Sequence, residues 1–402
     1  MKAAVLGEKG LEIRDIPQPK PKPDEILVRV RAAGLNRAEV MMAAGYRHGN
    51  QGGPGTVIGL EFSGEVVEVG AQAAGFRVGQ RVMCSGNGGY AEYAVAEADR
   101  CSAIPANNMT FEQAATLPIG LQTMHDAIAT QGALQRGQTV LIQVASAGVG
   151  LIGLQIAKAM GASKVMGTST NAGRRGRLKE FGADLVFDST DPKWPDQVLE
   201  ATDGKGVDII VDLVSANVMN QNMRATRILG RIVNVGRLGG FKGEFDFDLH
   251  ALRRIHYVGA TFRTRSAAEV HEIVRRMRAD LWPAVEAGKI AIPIDRTFPL
   301  EQAAAAQAHM RANVGKVKAT RARLVEELTR LGFSTLASQA NFVFTRPPAK
   351  LAAKDCFEQL WKRLILVRWW DLSRVRDFVS ISVGTDSEID RLVAATREIL
   401  GL

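Results

Sequence analysis

The stretch from Thr139 to Ala162 constrains this chain more than any other. Thr139-Val140-Leu141-Ile142-Gln143-Val144 is apolar and rich in β-branched residues, the pattern of a buried parallel strand. Leu151 to Ala162 has helical spacing, with Gly161 near its end. Between them lies Ala145-Ser146-Ala147-Gly148-Val149-Gly150-Leu151-Ile152-Gly153. A G-x-G-x-x-G that follows a strand and opens a helix is a dinucleotide fingerprint. Gly148 is expected to close the turn, Gly150 to admit the pyrophosphate, and Gly153 to pack helix on strand. Ser146, Ala147, Gly148, Val149 and Gly150 are thus the candidate cofactor contacts, with free N–H groups facing the phosphates.

The next predicted strand, Lys164 to Thr168, ends about 20 residues past the first glycine, where an NAD-binding chain places an acid on the ribose. No acid stands there. Thr168, Ser169, Thr170 and Asn171 do, followed by Arg174, Arg175 and Arg177. Hydroxyls with guanidinium groups suit a 2′-phosphate, so NADPH is the expected cofactor, with Thr168, Ser169 and Arg174 at the adenosine end. The alternative is an exposed basic helix start.

A chain of 402 residues, 46% apolar, is long enough for two or three domains with substantial cores. Its net charge of +9 is spread among acids, and no nucleic-acid motif accompanies it. Cys84, Cys101 and Cys356 are far apart and odd in number, which fits reduced thiols. No signal peptide precedes the first strand, Lys2 to Leu6, so a cytoplasmic location is expected. Residues 1 to about 115 read as β-rich, with runs such as Glu25–Val30 and Gly64–Val69. From 116 to 258 strands alternate with helices, the strands falling at 139–145, 164–168, 184–187, 207–213 and 230–235. Residues 259–320 read as mixed. The expected fold class is therefore α/β, a β-rich domain with a doubly wound parallel sheet. A C-terminal α+β lobe over 321–402 follows, with helix Arg323–Leu331, strand Asn341–Thr345, helix Ala353–Arg363, strands Ile365–Arg368 and Val379–Val383, and helix Asp386–Leu400. Thr385 to Glu388 is a capping box for that last helix.

Ala33-Gly34-Leu35-Asn36-Arg37-Ala38-Glu39, Gly59-Leu60-Glu61-Phe62-Ser63-Gly64-Glu65-Val66, Gly88-Gly89-Tyr90-Ala91-Glu92-Tyr93, the Ala145–Gly153 turn and Asn313-Val314-Gly315-Lys316-Val317 resemble the zinc-free quinone oxidoreductase branch of the medium-chain dehydrogenase/reductase superfamily. The resemblance implies a GroES-like catalytic domain over 1–115, completed by 259–320, with a Rossmann NADPH-binding domain at 116–258. It implies dimers through the Rossmann sheet edge. It adds Thr123, Gly236 and Asn313 to the cofactor contacts. Where alcohol-dehydrogenase relatives carry a zinc-ligating Cys and a Gly-His-Glu, this chain has Asn36 and Gly59-Leu60-Glu61. Catalytic zinc needs three protein ligands, so no metal is expected. His48, His125, His250, His256, His271 and His309 show no metal spacing.

Leu331-Gly332-Phe333, Ser338 to Phe344, Ile365 to Arg368 and Ile381 to Thr385 resemble the C-terminal small domain of histidinol-phosphate aminotransferases. The pyridoxal-phosphate lysine and large domain have no counterpart. Ser380 stands where the substrate-carboxylate arginine belongs, while Arg368 matches the phosphate-side arginine.

The resemblance places Asn36 beside the nicotinamide, where its amide can donate to an acceptor carbonyl as charge develops. Tyr46 is the candidate proton donor, with Arg47 one loop residue away. Arg263 and Arg265 either reach substrate or cofactor phosphates or are solvated. The expected activity is hydride transfer from NADPH to a small-molecule quinone, enone or other conjugated carbonyl. The alternative is a non-catalytic nucleotide-sensing or interaction protein whose C-terminal lobe binds a partner.

Overall fold

The computed structural model describes residues 1–8, 10–49, 51–106, 109–336, 342–365, 367–383 and 386–402, without the side chains of 312–319 and 386–387. Two compact units make up the chain, Met1–Ala306 and Gln307–Leu402.

In the first unit a six-stranded parallel sheet runs in the order Leu185–Asp188, Lys164–Ser169, Thr139–Ile142, Val207–Asp212, Thr226–Asn234, His256–Gly259. Successive strands grow outward on one side of Thr139–Ile142 and then on the other. The order therefore reverses between Thr139–Ile142 and Val207–Asp212, and the two following turns diverge there. A crevice beyond the carboxyl ends of strands at such a switch point is where α/β sheets hold ligands. The strands are buried on both faces. Ile142 and Val211 join Leu121, Met124, Ile152, Val274 and Leu281 on one face. Leu141 and Ile210 join Trp194, Met223 and Ile232 on the other.

The β-rich part is a five-stranded antiparallel sheet, ordered Tyr93–Glu97, Glu25–Ala33, Glu61–Val69, Arg81–Ser85, Cys101–Ala103. Its core includes Ile26, Val28, Phe62, Val66 and Val82. Lys2–Gly7 and Gly10–Asp15 form a separate hairpin.

Some elements depart from the sequence reading. The strand expected to reach 145 stops at Ile142, because Val144 turns the chain at φ +52°. The strand expected from 230 starts at Thr226 and is interrupted by Leu229 at φ +61°. A sixth strand, His256–Gly259, was not foreseen. Residues 259–320 are dominated by two helices. Ala267–Glu286 opens on a Ser266–Glu269 capping box. Ala303–Arg330 begins twenty residues before the expected Arg323, since its Ala-rich first turns suit a helix. Cys84 and Cys101, distant in sequence, are directly opposite each other on neighbouring strands, both as free, buried thiols.

The second unit pairs Ser334–Thr335, Phe342–Arg346 and Val379–Ser382 in an antiparallel sheet. Helices Ala353–Lys362 and Asp386–Leu400 contribute to its core of Leu324, Leu328, Val343, Leu360, Val379 and Leu392. The strand expected at Ile365–Arg368 reduces to a single bridge, Arg368 to Ser380. Leu366, the motif residues Ser338–Asn341, and Thr385 of the expected capping box lie outside the described residues. Among the described residues no helix is long and apolar enough to cross a membrane.

The third fingerprint glycine sets the helix layer. A Cβ at Gly153 would lie 2.2 Å from Met124 Cε, on helix Pro118–His125, and 3.5 Å from Ile142 Cδ1 on the strand. Gly153→Val is expected to lower the unfolding free energy by about 1–3 kcal/mol through overpacking. Denaturant titration checks this; an unchanged midpoint contradicts it.

Candidate active site

Asn36 precedes helix Arg37–Met42, whose third residue, Glu39, reaches back as its cap. Glu39 Oε2 accepts the Asn36 N–H at 2.7 Å and the Tyr90 hydroxyl at 2.5 Å, and Oε1 accepts the Leu60 N–H at 2.7 Å. Glu61, first residue of its strand, accepts Asn36 Nδ2 at 2.8 Å and the Ile119 N–H at 2.9 Å. Two carboxylates are thus buried together, Glu39 at 0% exposure and Glu61 at 4%. Burial pushes Glu39 up to about 7, against the pull of Tyr90 and the Asn36 and Leu60 N–H groups. Burial pushes Glu61 up to about 8, against Ile119 and Asn36 and helped by the charge of Glu39. A Cβ at Gly34 would lie 2.4 Å from Glu61 Oε1 and 2.5 Å from the Ala115 carbonyl, so the loop needs glycine there.

This arrangement fixes the half-buried Asn36 amide. One Nδ2 hydrogen points to Glu61, so the nitrogen side is assigned by its partner. The Asn36 side chain also faces Glu39, whose charged form it favours. Glu39, Glu61 and Tyr90 carry no role in the sequence reading. The Asn36-x-x-Glu39 spacing is a legible capping signal; the burial of Glu61 at a strand start is not.

At the crevice, Ala147 caps helix Gly148–Ala159, and Leu151 N–H is the first to bond within it, to Ala147 O. The N–H groups of Gly148, Val149 and Gly150 therefore point out of the helix start. The glycine roles differ from expectation. Added to Gly150, a Cβ would meet the Val144 carbonyl at 2.6 Å and Ala145 Cα at 2.7 Å. Gly150 closes the turn. At Gly148 the nearest atom is Ile292 Cδ1 at 3.6 Å, so this position leaves the approach open.

At the adenosine end the hydroxyls are already committed. Thr168 is 0% exposed; its hydroxyl donates to Gln143 Oε1 at 2.6 Å and accepts the Val144 N–H at 3.2 Å. Contrary to its expected phosphate contact, Thr168 holds the turn from beneath. Ser169 is buried and shares a 2.9 Å hydrogen bond with Ser146. The three arginines separate clearly. Arg175 pairs with Asp188 at 3.2 Å and donates to the Ser169 carbonyl, and Arg177 pairs with Glu180 at 3.1 Å. Arg174 is exposed and has no ion-pair partner among the described residues.

Gly236 lies across the crevice, where a Cβ would meet the Leu213 carbonyl at 2.6 Å. Thr123 is half-buried on helix Pro118–His125. Asn313 falls in helix Ala303–Arg330, with its side chain outside the described residues. Tyr46 is 60% exposed, and no hydrogen bond joins it to the Asn36 cluster among the described residues. Arg265 is structural, since it pairs at 2.7 Å with Asp126, which is 1% exposed. His125 and His271 bind carboxylates, Asp280 at 2.7 Å and Glu97 at 2.8 Å.

Residues 22–106 match the family described as alcohol dehydrogenase GroES-like domain, residues 148–279 zinc-binding dehydrogenase, and residues 297–395 aminotransferase class I and II. The quinone oxidoreductase of Pseudomonas aeruginosa is 30% identical over 318 residues, 77% of this chain and 94% of that protein. The chain is also 32% identical over 228 residues to a Mycobacterium tuberculosis phenolphthiocerol/phthiocerol polyketide synthase subunit, covering 57% of itself but only 10% of that protein. Among solved structures, a mycobacterial quinone oxidoreductase matches with TM-score 0.70 at 28% identity, over 78% of this chain and 97% of that one. A mycobacterial protein complexed with NADPH matches with TM-score 0.68 at 28% identity, over 78% and 96%.

The buried carboxylates make stability depend on pH. Their folded values lie above the ordinary 4.5, so the folded chain holds protons that the unfolded chain has released. That contribution is full below the ordinary value and is lost as pH rises through about 7 and 8. From this contribution melting temperature is expected to fall as pH rises from about 4.5 to about 8 and to level off above that. Glu61→Gln should flatten this fall, and a slope identical to the native one contradicts the assignment.

Proposed function

This chain belongs to the medium-chain dehydrogenase/reductase superfamily, and we propose that it is an NADPH-dependent, zinc-independent reductase that delivers hydride to a quinone or another conjugated carbonyl. The observation that carries the reading is the Asn36 amide, anchored on Glu61 at 2.8 Å where relatives hold a metal ligand. Leu60 occupies the second ligand position. Among the described residues no group of three His, Cys, Asp or Glu side chains is arranged to hold a metal ion.

The residues present fit a dinucleotide phosphate. Gly148 leaves an open approach to three outward N–H groups at a helix start, which favours a pyrophosphate. Arg174 is the guanidinium left for a 2′-phosphate after Arg175 and Arg177 are paired. When bound, the nicotinamide supplies the hydride. Asn36 supplies an oriented amide whose dipole can stabilise negative charge on an acceptor oxygen, and Glu61 prevents the amide from flipping. Tyr46 is proposed as the proton donor, and its exposure leaves it accessible to substrate.

Residues 1–115 with 259–320 form the proposed catalytic domain, 116–258 the cofactor domain, and 321–402 an accessory lobe without aminotransferase chemistry of its own. A homodimer is proposed through the edge strand His256–Gly259. Leaving Tyr257 44% exposed and Phe247 nearby 78% exposed supports that interface.

A panel of quinones and enones with NADPH tests the reaction; absence of turnover with every member contradicts it. Arg174→Ala is expected to remove one charge-assisted contact of ~1.5–3 kcal/mol. The KM for NADPH should then rise roughly tenfold or more while that for NADH stays put. An unchanged NADPH/NADH ratio removes Arg174 from the site. Chelator dialysis should leave turnover intact; stoichiometric zinc lost together with activity contradicts zinc independence.

A further inference from the structure

Four buried polar side chains beneath the crevice touch neither the solvent nor the proposed ligand path. Thr168, Gln143, Asn222 and Asp212 are each 0% exposed. Three of them, Thr168, Gln143 and Asn222, form one connected line, and Asp212 lies at its end. The Val144 N–H donates to Thr168 Oγ1 at 3.2 Å, the Thr168 hydroxyl to Gln143 Oε1 at 2.6 Å, and Gln143 Nε2 to Asn222 Oδ1 at 2.7 Å. Burial raises the Asp212 carboxyl, against the pull of the Ser215 and Val214 N–H groups and of Asn222. No hydrogen bond joins Asn222 to Asp212, since Asn222 Nδ2 and Asp212 Oδ2 each lack a partner among the described residues. Asp212 Oδ1 accepts the Val214 and Ser215 N–H groups at 2.8 and 2.9 Å.

Every hydrogen bond in the line points the same way, from Val144 toward Asn222. Both amides are therefore locked, because turning either would set donor against donor or acceptor against acceptor. Hydrogen bonds chained head to tail in a dry interior reinforce one another. Burying this many polar groups is costly, and an apolar core would serve packing alone.

The two turns above these side chains explain their retention. Val144, β-branched, sits at φ +52°, and Ser215 at φ +64°, ψ −148°, a region that normally takes glycine. Such backbone is costly and persists only where its surroundings over-determine it. At each strained residue the N–H is gripped by a buried side chain, Thr168 or Asp212, and Asn222 ties the Thr168 side to helix Met219–Ala225, which follows the Ser215 turn. The Ser215 hydroxyl also donates to the Gly236 carbonyl at 2.7 Å. Val144 begins the fingerprint turn, and Ser215 lies in the turn after the neighbouring strand. These are the two turns that diverge at the switch point.

We propose that this buried relay is a cofactor-positioning device: through Gln143 and Asn222 it holds both strained turns in register across the crevice, and so sets dinucleotide affinity from residues that do not touch the dinucleotide. The proposal rests on the reading of the crevice as the NADPH site.

The test measures NADPH dissociation constants by quenching of tryptophan fluorescence, with steady-state kinetics and thermal melts alongside. Proteins are the native chain, Gln143→Met, Asn222→Leu, Asn222→Ser and the Gln143→Met/Asn222→Leu double variant. Each folded single variant is expected to bind NADPH about five- to tenfold more weakly, with the loss falling on the NADPH KM more than on kcat. The double variant should be no weaker than the weaker single variant, because both substitutions cut one connection. Native affinity in a folded single variant, or losses that multiply in the double variant, overturns the relay. If Asn222→Leu fails to fold, Asn222→Ser is judged by the same criteria. A native chain that binds no NADPH overturns the dinucleotide site itself, and the relay falls with it.

Discussion

The reversal of strand order between Thr139–Ile142 and Val207–Asp212 is the constraint on which the rest depends. Parallel strands joined by right-handed crossovers must place their helices on both faces, and a sheet wound outward from its middle leaves two adjacent turns parting company. One of these turns carries Gly148 and Gly150, and the other Ser215 and Ala216. The backbone of both is bent into left-handed conformations, at Val144, Ser215 and Ala216. Beneath them the core is not wholly apolar: hydroxyl and amide groups run from one turn to the helix after the other, and the Asp212 carboxylate braces that second turn. Sheet topology makes the crevice, and the buried polar line sets its shape.

The β-rich part solves a different electrostatic problem. Asn36 is neutral, yet it is held by two buried acids, Glu61 through its side chain and Glu39 through its backbone. Every hydrogen bond described for these carboxylates comes from a donor, which favours the charged form. Burial works in the opposite direction and wins, moving both toward neutral pH. Two acids so placed keep an amide rigid. They also tie loop to helix to strand, since Leu60, Tyr90 and Ile119 all contribute donors.

Strong periodicity and punctuation were legible in the sequence. The strand–glycine–helix unit and the parallel-sheet rhythm follow from apolar spacing and turn residues. Details set by tertiary context were not. Thr168 reads as a phosphate contact from its place at a strand end, but its side chain faces inward toward Gln143. Arg174, Arg175 and Arg177 look equivalent until Asp188 and Glu180 claim two of them. The roles of Gly148 and Gly150 depend on which carbonyls crowd each position. Asn222 lies in the short helix Met219–Ala225, where one polar residue carries no signal that it is buried.

The central claim is that the two diverging turns cradle an NADPH molecule. A crystal structure of the chain soaked with NADPH tests this most directly. The account predicts pyrophosphate oxygens on the N–H groups of Gly148, Val149 and Gly150, the 2′-phosphate against Arg174, and the nicotinamide toward Asn36. Density for the dinucleotide elsewhere on the chain, or a 2′-phosphate with no arginine contact, would contradict it.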